Sequence, residues 1–560
     1  MENTVNYSPD VARIMQDPVL WAEHHLGQKP RWYQEQILRH PHNRIVLRCG
    51  RRLGKCIAED QRILDTRTGR YETIKTLYGK QQVTTATLNN QFKIEEDVSF
   101  RIEENGIKPT FEITAKHGAQ VTLTGNHPVL TLEGWKEVDM LKLGDSIAVP
   151  KRLPFFGKEA PGFARAKMIG YLIGARKVTV AGPTLQLNNE DTRQIILDTA
   201  KDAGLSLFPK SAKTHFIVDK QKIFKGILDL EDDAMPKEIF EYDKKHLAVF
   251  LAALYDAKGW FYGNRIAEIG FGSKNRLFLK DLKHLLLRFG VDVNIIERKV
   301  RGEEYFHAML YAKKDIRMFL NEIAIYGVKD YSEMQRKISQ MEERSPSIPK
   351  EIWEHVETKR KEKGLKKKEV TGSAEEKFRT NIGLTEDKAV RYAQNLEDPY
   401  LYDLATSDIL WEEITNIRFV KDQMTYDVFM PTHHNLVVED ILVHNTWTMT
   451  AHMLWAAFTN MGGKKTDGPV TCLVATPYDN QARLIFDELR KFIEESDVLK
   501  QSVKTITKAP YYIEFKNGAK IKLFTAGTRT GSSGASLRGQ HADFLYLDKI
   551  LSLLPVKVIE

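Results

Sequence analysis

The sequence predicts a multi-domain chain in which an all-β unit is interrupted by an α+β domain and is itself inserted into an α/β domain. Short β-like runs occupy residues 57–150 and return from residue 411, whereas residues 163–345 alternate helix and strand. Stretches of α/β character precede and follow this whole block. The length of 560 residues also suggests about three or four domains. Nested insertion explains this order of elements.

The outer α/β stretches form a known motif when residues 56–445 are removed. Lys55 is then followed by Thr446, which completes a Gly-Lys-Thr sequence. The apolar strand Arg44–Leu47 precedes this motif, and an apolar helix follows it as far as about Phe458. A phosphate-binding P-loop needs this strand-loop-helix context. The residues on either side of the block are therefore predicted to be two halves of one domain.

The composition is ordinary for a globular protein. Apolar residues make up 42% and charged residues 28%, and the net charge of +8 mildly favours nucleic acid among possible partners. The cysteines, Cys49, Cys56 and Cys472, provide no disulfide framework, so a reducing cytosol is expected. Met1–Thr4 does not begin a signal segment, and no apolar run reaches membrane-spanning length. We therefore expect a cytoplasmic location and no membrane partner.

The residues at the ends of the block have the chemistry to cut and rejoin the chain. The Cys56 thiolate could attack the Lys55 carbonyl carbon and leave a thioester, which the Thr446 hydroxyl could convert to a branched ester. The Asn445 side-chain amide could then close on its own carbonyl and cut the following bond, with His444 placed to donate a proton. Thioester formation is uphill in water, so other residues must destabilise the amide and hold the geometry.

These boundary residues, together with two internal segments, resemble an intein. Residues 124–127 match the Thr-x-x-His pattern of that family, and Tyr426–Asn445 resembles its C-terminal signature. The resemblance implies an all-β Hint splicing domain that needs no cofactor. It also implies four assisting catalytic residues: Thr124, His127, Asp427 and His434. His127 would polarise the scissile amide or protonate its leaving nitrogen, and the last two would assist thiol exchange and asparagine cyclisation. A Hedgehog-type autoprocessing domain shares this fold but lacks the terminal asparagine.

The middle of the block resembles a LAGLIDADG (DOD-type) homing endonuclease. Ile169–Arg176 and Phe250–Gly259 align with the two family motifs. In active relatives each motif ends in an aspartate that holds a divalent metal at the scissile phosphates; this chain has Ala175 and Lys258 there. Alanine offers no ligand atom, a lysine cation repels a divalent ion, and Asp256 could serve only one metal. The nuclease fold is therefore expected without DNA cleavage, and Mg²⁺ is a cofactor only if the nuclease is active.

Double-stranded DNA is a possible partner of the region that follows. Lys359–Lys368 holds seven Lys or Arg in ten positions, and the segment from there to Trp411 resembles the extra helical DNA-reading piece of some inteins. Phosphate contacts would give such binding. The alternative interpretation of this basic run is a solvated helix face.

The outer segments, residues 1–55 and 446–560, resemble the ATPase domain of a tailed-phage terminase large subunit. Gln34 lies in an aromatic-Gln element that meets adenine in such motors. The deviant P-loop of the family matches these residues: Gly50, Arg51, Gly54, Lys55 and Thr446. The loop would hold ATP, and the threonine would bind Mg²⁺. Asp548, after the strand Phe544–Leu547, would be the second Mg²⁺-associated group. The family implies DNA packaging with a portal and a small terminase subunit as partners.

One departure limits the activity expected of this host domain. The family places a glutamate after the Asp548 position to orient the attacking water, and this chain has Lys549. From Ile550 to Glu560 the sequence no longer resembles the family. We expect ATP binding at best, without hydrolysis.

These assignments divide the chain into six segments. They are 1–55 (ATPase, first part), 56–155 (Hint, N-terminal part), 156–345 (endonuclease-like), 346–404 (basic helical subdomain), 405–445 (Hint, C-terminal part) and 446–560 (ATPase, second part, incomplete). Three functions of different class follow: self-splicing, site-specific DNA cleavage and ATP-driven DNA packaging. Only the splicing motifs are intact, so self-splicing is the function that the sequence favours.

Overall fold

The computed structural model describes most of the chain. The described residues are 9–26, 38–39, 56–80, 82–89, 91–99, 101–179, 182–187, 190–230, 234–262, 268–300, 303–341, 348–373, 375–376, 378–430, 433, 435–444, 448–461, 468–476, 482, 485–486, 489–490, 492–494, 496–508, 510–525 and 542–547. The predicted strand Arg44–Leu47 and Cys49 lie outside these ranges, and so do these ten positions: Gln34, Gly50, Arg51, Gly54, Lys55, His434, Asn445, Thr446, Asp548 and Lys549.

The chain forms two compact units. One combines residues 1–50 with 446–560, and the other comprises residues 51–445. None of the described helices is long and apolar enough to span a membrane.

The described part of the inner unit begins with short strands rich in β-branched residues, which fit the pleated surface of a sheet. The strands are β1 (Ile57–Ala58), β2 (Arg62–Leu64), β3 (Tyr71–Thr73), β4 (Val83–Leu88), β5 (Ile94–Ser99), β6 (Arg101–Ala115), β7 (Gln120–Thr124), β8 (Pro128–Thr131), β9 (Gly134–Glu137) and β10 (Ser146–Pro150). A helix at Ile74–Leu77 and a 3₁₀ turn at Val138–Met140 interrupt them. β2 pairs with β3, and β4 pairs with β5, as separate ladders.

An α+β domain follows, with two antiparallel four-stranded sheets. Its strands are β11 (Arg176–Thr179), β12 (Gly182–Gln186), β13 (Ser206–Ser211), β14 (Thr214–Val218), β15 (Trp260–Tyr262), β16 (Glu268–Ser273), β17 (Asn294–Val300) and β18 (Glu303–Leu310). Its helices are Phe163–Ala175, Glu190–Asp202, Lys225–Leu228, Lys244–Lys258, Arg276–Leu287, Lys313–Glu322 and Ser332–Gln340, with 3₁₀ turns at Lys237–Glu241 and Ala324–Tyr326. The sheet orders are β11-β12-β14-β13 and β15-β16-β18-β17.

The two helices that carry the endonuclease-like motifs, Phe163–Ala175 and Lys244–Lys258, pack in close contact. A Cβ atom placed on Gly170 would lie 2.6 Å from the Phe250 carbonyl oxygen, and one on Gly174 would lie 2.5 Å from the Ala257 Cβ. Larger residues would force the helices apart. Gly170 and Gly174 therefore allow the two helices to pack closely in the core of this domain.

A small helical cluster connects this domain to the last strands of the unit. Its helices are Ile352–Glu362, Lys367–Thr371, Glu386–Leu396 and Pro399–Ala405, packed around Trp353 and Tyr392. Part of the basic run is paired with acidic side chains here: Lys359 with Glu362, Arg360 and Lys367 with Glu357, and Lys363 with Glu397. These ion pairs reduce the positive charge that the run offers to a phosphate backbone.

The chain then returns to the first sheet through β19 (Ile409–Phe429), β20 (Asn435–Val438) and β21 (Ile441–His444). β19 pairs antiparallel with β6 from Ile414 opposite Ala115 to Phe429 opposite Arg101. The resulting sheet has the order β1-β7-β6-β19-β10-β8-β21-β20, with β9 beside β8. Residues distant in sequence therefore share one sheet.

The described part of the outer unit is of α/β character. Its helices are Pro9–Gln16, Pro18–Leu26, Thr448–Thr459 and Asp497–Ser502, and its strands are β22 (Thr471–Thr476), β23 (Val503–Lys508), β24 (Tyr511–Phe515), β25 (Lys520–Thr525) and β26 (Phe544–Leu547). β22 pairs in parallel with both β25 and β26. The sheet order is β23-β24-β25-β22-β26.

The close approach of the motif helices gives a stability prediction. Gly170→Ala is expected to destabilise residues 51–445 by roughly 1–3 kcal/mol because overpacking a tight core forces its neighbours to shift. Gly226→Ala is the matched control, since its Cβ would meet nothing within 4 Å. Thermal unfolding of both variants, in a background that cannot splice, measures the difference. Equal melting temperatures would contradict the proposed packing constraint.

Candidate functional site

Cys56 is fully buried immediately before β1, between two other strands. The next residue, Ile57, pairs with Leu123 in β7 and with Tyr426 in β19. The residues that follow these two partners are Thr124 and Asp427. The sheet thus brings together three site residues that the sequence predicts from distant positions.

The Thr124–His127 turn contacts both peptide groups of Cys56. The Cys56 N–H, which belongs to the Lys55–Cys56 peptide, donates to Thr124 Oγ1 at 3.0 Å. His127 Nδ1 lies 3.2 Å from the Cys56 carbonyl oxygen, which belongs to the next peptide. The threonine hydroxyl therefore contacts the amide where cleavage is predicted, and the imidazole contacts the carbonyl on the other side of Cys56.

The 3₁₀ turn at Val138–Met140 holds the Thr124–His127 turn in place. Asp139 N–H donates to the Gly125 carbonyl at 2.7 Å, and Val138 N–H donates to the His127 carbonyl at 3.0 Å. A Cβ atom on Gly125 would lie 2.2 Å from Asp139 Oδ1, so a larger residue there would force the Asp139 side chain to move. The spacing of the Thr-x-x-His pattern is thus fixed by packing as well as by sequence.

Two side chains that the sequence analysis did not identify contact the Cys56 thiol. Asn105 Nδ2 and Lys108 Nζ each lie 3.0 Å from Sγ. Lys108 is only 2% exposed. A lysine inside a strand normally indicates a solvent-facing position, so nothing local in the sequence distinguishes this one. Its role depends on the pairing of β6 with β7 and β19, the two strands that also pair with β1.

The surroundings of Cys56 act on its acidity in opposite directions. Burial and the Asp427 carboxylate raise the pKa of the thiol, whereas Lys108 and Thr425 oppose that shift. The net pKa is above the usual value, which limits the thiolate fraction at neutral pH. Lys108 is the cation that stabilises the nucleophilic form.

The strand that leads to the predicted C-terminal junction pairs with the strand that follows the Thr-x-x-His turn. β21 ends at His444, and Val443 pairs with Val129 in β8, which begins directly after His127. For His444 the structure describes the backbone, and its partner in the hairpin is Asn435. His434, Asn445 and Thr446 lie outside the described residues. Both β21 and Cys56 therefore lie beside the segment from Thr124 to Thr131, which carries His127.

The endonuclease-like metal positions lie together at the ends of the two motif helices. Ala175 is the last residue of one helix and Lys258 of the other, and the Lys258 ammonium lies 5.1 Å from the centroid of the Phe278 ring. The Asp256 carboxylate accepts hydrogen bonds from the Val328 and Lys329 N–H groups at 2.9 and 3.3 Å. It therefore anchors a loop instead of extending toward a metal.

Among the described residues, one group of side chains has the composition of a metal site. Ligand atoms of His117, Asp292 and Glu412 all lie within 4.8 Å of one another. The Lys283 ammonium, however, donates to Asp292 Oδ1 at 2.5 Å. Burial alone would raise the pKa of the Asp292 carboxyl, but Lys283 and His117 hold it well below its usual range. Since the cluster contains its own cation, we assign it the structural role of joining the inserted domain to β6 and β19.

A buried thiol beside its own peptide bond, with a hydroxyl bound to the nitrogen of that bond, is typical of a protein that processes its own chain. A family profile described as "Intein splicing domain" matches residues 63–445, more than half of the chain. The chain therefore belongs to the intein splicing domain family, and the predicted resemblance to inteins is confirmed.

The comparisons with individual proteins are more distant. The replicative DNA helicase DnaB of Nostoc sp. is 22% identical over 446 residues, which cover 71% of this chain and 50% of the helicase. The chain spans about half the length of the curated relatives it matches. Among solved structures, a mutant of the Ssp DnaB mini-intein is 12% identical and covers 70% of this chain and 99% of its own, with a TM-score of 0.25. The endonuclease I-DmoI in complex with DNA and Mn is 16% identical and covers 29% and 96%, with a TM-score of 0.24.

The contact between Lys108 and Cys56 predicts a shift in pH dependence. Replacing Lys108 by Met removes the cation that opposes the raised pKa of the Cys56 thiol, so this pKa should rise further and the thiolate fraction at neutral pH should fall. We expect thiol-induced cleavage before Cys56 to slow roughly ten- to hundredfold at pH 7, because a charge-assisted hydrogen bond contributes about 1.5–3 kcal/mol. The rate should recover as the pH is raised.

The measurement uses an Asn445→Ala background, in which asparagine cyclisation is blocked. Lys116→Met is the control, since Lys116 is an exposed residue paired with Glu413 at the other end of the same hairpin. An unchanged pH profile for Lys108→Met would show that the lysine does not act on the thiol.

Proposed function

We propose that this chain is a self-splicing precursor that excises residues 56–445 and joins Lys55 to Thr446. The observation that carries this proposal is the hydrogen bond from the Cys56 N–H to Thr124 Oγ1, beside a thiol that Lys108 contacts. Membership of the intein splicing domain family supports it. The activity needs no cofactor, because the nucleophiles and proton donors all belong to the chain.

In the first step, the Cys56 sulfur attacks the Lys55 carbonyl carbon. A C–S bond forms, the C–N bond breaks, and the released nitrogen takes a proton. The Thr124 hydroxyl, bound to that nitrogen, stabilises the pyramidal geometry that it must adopt. His127 holds the following carbonyl, so Cys56 stays in place while its peptide bond breaks.

The later steps join the two outer segments. The Thr446 hydroxyl attacks the thioester, which forms a C–O bond and releases the Cys56 thiolate. The Asn445 side-chain nitrogen then attacks its own main-chain carbonyl, which breaks the bond to Thr446 and forms a succinimide. The freed Thr446 amine attacks the ester carbonyl and leaves an ordinary amide. In this scheme Asp427 and His434 assist thiol exchange and cyclisation, and His444 donates a proton to the departing amine.

We propose further that the ligated segments form the ATPase domain of a terminase large subunit. The strands β22 and β26 run parallel, and α/β sheets bind ligands at the carboxyl edge of such strands. Asp548 directly follows β26. In this proposal Gln34, Gly50, Arg51, Gly54, Lys55, Thr446 and Asp548 bind ATP and Mg²⁺, and the portal and small terminase subunit are partners. Lys549 makes hydrolysis defective, so ATP binding is the activity retained.

Splicing predicts a simple change in the size of the protein. The full chain has a mass of 64.4 kDa, and expression of the unaltered sequence should yield the excised segment and the ligated product instead. Cys56→Ala together with Asn445→Ala should leave the full-length band, because both junction reactions then lack their nucleophile. Mass spectrometry of the product should show a peptide in which Lys55 is followed by Thr446.

The control for this prediction is Cys472→Ala. Cys472 is also a buried cysteine, but it lies in β22 of the outer unit, so this variant should splice like the unaltered chain. A single full-length band from the unaltered sequence would refute the proposed function.

The inserted domain is expected to bind DNA weakly or not at all and to leave it uncut. Incubation of the excised segment with Mg²⁺ and DNA that carries the uninterrupted host sequence should give no cleavage, because Ala175 and Lys258 cannot hold a metal. Cleavage products in this assay would instead identify an active homing endonuclease. The double variant Ala175→Asp, Lys258→Asp tests whether the two missing carboxylates cause the expected lack of cleavage.

A further inference from the structure

The turn between β20 and β21 has two buried carboxylates in a strained conformation. Glu439 and Asp440 have φ angles of +46° and +60°, a region that non-glycine residues seldom occupy. Two-residue turns of this kind ordinarily take Asn-Gly. Both residues are nevertheless buried. The turn therefore depends on partners elsewhere in the structure.

Glu439 is held by cations from both sides. Arg62 Nε donates to its Oε1 at 2.9 Å, and Lys280 Nζ lies 3.3 Å from its Oε2. Burial alone would raise its pKa, but Lys280 and Arg62 lower the pKa of Glu439 to about 2. Arg62 is in turn bound to Asp281. Lys280 and Asp281 belong to the helix Arg276–Leu287 of the inserted domain.

Asp440 is bound by the same helix, one turn further on. His284 Nδ1 lies 2.8 Å from Asp440 Oδ1, and the imidazole is completely buried. Its ring stacks on Tyr71, with centroids 3.8 Å apart and planes 5° from parallel. Arg288 holds its other nitrogen at 3.2 Å. The imidazole is therefore fixed by contacts on three sides.

The turn lies at one end of the β20–β21 hairpin, and His444 lies at the other end. β21 is four residues long, and it leads from the turn to His444 and Asn445. The two hairpin strands pair from Val438 opposite Ile441 to Asn435 opposite His444. A shift of the turn would therefore be transmitted to the C-terminal junction. The Cys56 pocket is built by β1, β6, β7 and β19 instead, and none of these strands carries the turn.

We propose that His284 and Lys280 of the inserted domain are positioning residues for asparagine cyclisation at Asn445. The inference rests on the proposed splicing function and gives the inserted domain a role in it: its helix fixes the hairpin that presents the C-terminal junction. This role requires neither metal nor DNA, so it is compatible with the loss of the aspartates at Ala175 and Lys258.

The test is His284→Ala in the full-length chain. Loss of the imidazole leaves Asp440 buried without this partner and allows the turn to relax. We expect cleavage after Asn445 to slow at least tenfold, since small displacements of reacting groups can cost about a hundredfold. The branched intermediate should accumulate, whereas thiol-induced cleavage before Cys56 should keep its rate. His307→Ala, at an imidazole that packs on Trp260 within the inserted domain, is the control and should change neither rate.

Two rescue variants separate positioning from a general effect on folding. His284→Asn retains an N–H donor for Asp440 and should restore most of the C-terminal rate. Adding Asp440→Gly to His284→Ala removes both the buried carboxylate and the strain, and should also restore it. If His284→Ala splices at the normal rate, or slows both junctions equally without rescue, the inference is wrong although the proposed function stands. If the unaltered chain does not splice, the proposed function itself fails.

Discussion

The inner unit depends on the pairing of β6 with β19. These strands lie about 300 residues apart in the sequence, yet they form an antiparallel ladder from Ala115 to Arg101, with three register shifts along it. Closing such a loop is less costly than its length suggests, because the entropy grows only with the logarithm of loop length, by about 0.6 kcal/mol for each doubling. A whole domain can therefore occupy the loop. The same ladder brings Tyr426 and Asp427 beside β1 and so creates the surroundings of Cys56.

The inserted domain is attached to the splicing fold through buried charges, which need partners in both parts. Arg62 and Glu439 belong to the splicing fold, and Lys280, Asp281 and His284 belong to the inserted helix. Breaking a buried pair by removing one partner is far more destabilising than never having formed it. Deletion of the inserted domain would leave several such groups unpaired. The need of these buried charges for partners gives a physical reason for keeping the domain although Ala175 and Lys258 occupy the predicted metal positions.

The sequence predicted local elements well where alternation alone specifies them. The β-like runs predicted within residues 57–150 are present, for example as β4 (Val83–Leu88) and β7 (Gln120–Thr124). Gly106 and Pro109 argue against a strand in the sequence, yet both lie within β6, where the long partner β19 compensates for them. Lys108 was missed for the same reason, since its burial follows from that pairing. The sequence assigns His127 to the scissile amide, and that assignment stays a prediction; the described contact of its Nδ1 is with the Cys56 carbonyl oxygen.

The sequence by itself determined the family and the order of the proposed splicing steps. Cys56 adjoins the Lys55 carbonyl and Asn445 adjoins Thr446 along the chain, and neighbours in the chain remain neighbours in any fold. The tertiary structure alone decided which side chains surround the thiol, which atom accepts from the Cys56 N–H, and how the inserted helix holds the turn at Glu439 and Asp440. Those contacts include pairs of residues that lie 49, 68 and 156 positions apart. Only packing brings such residues together, and no local pattern records it.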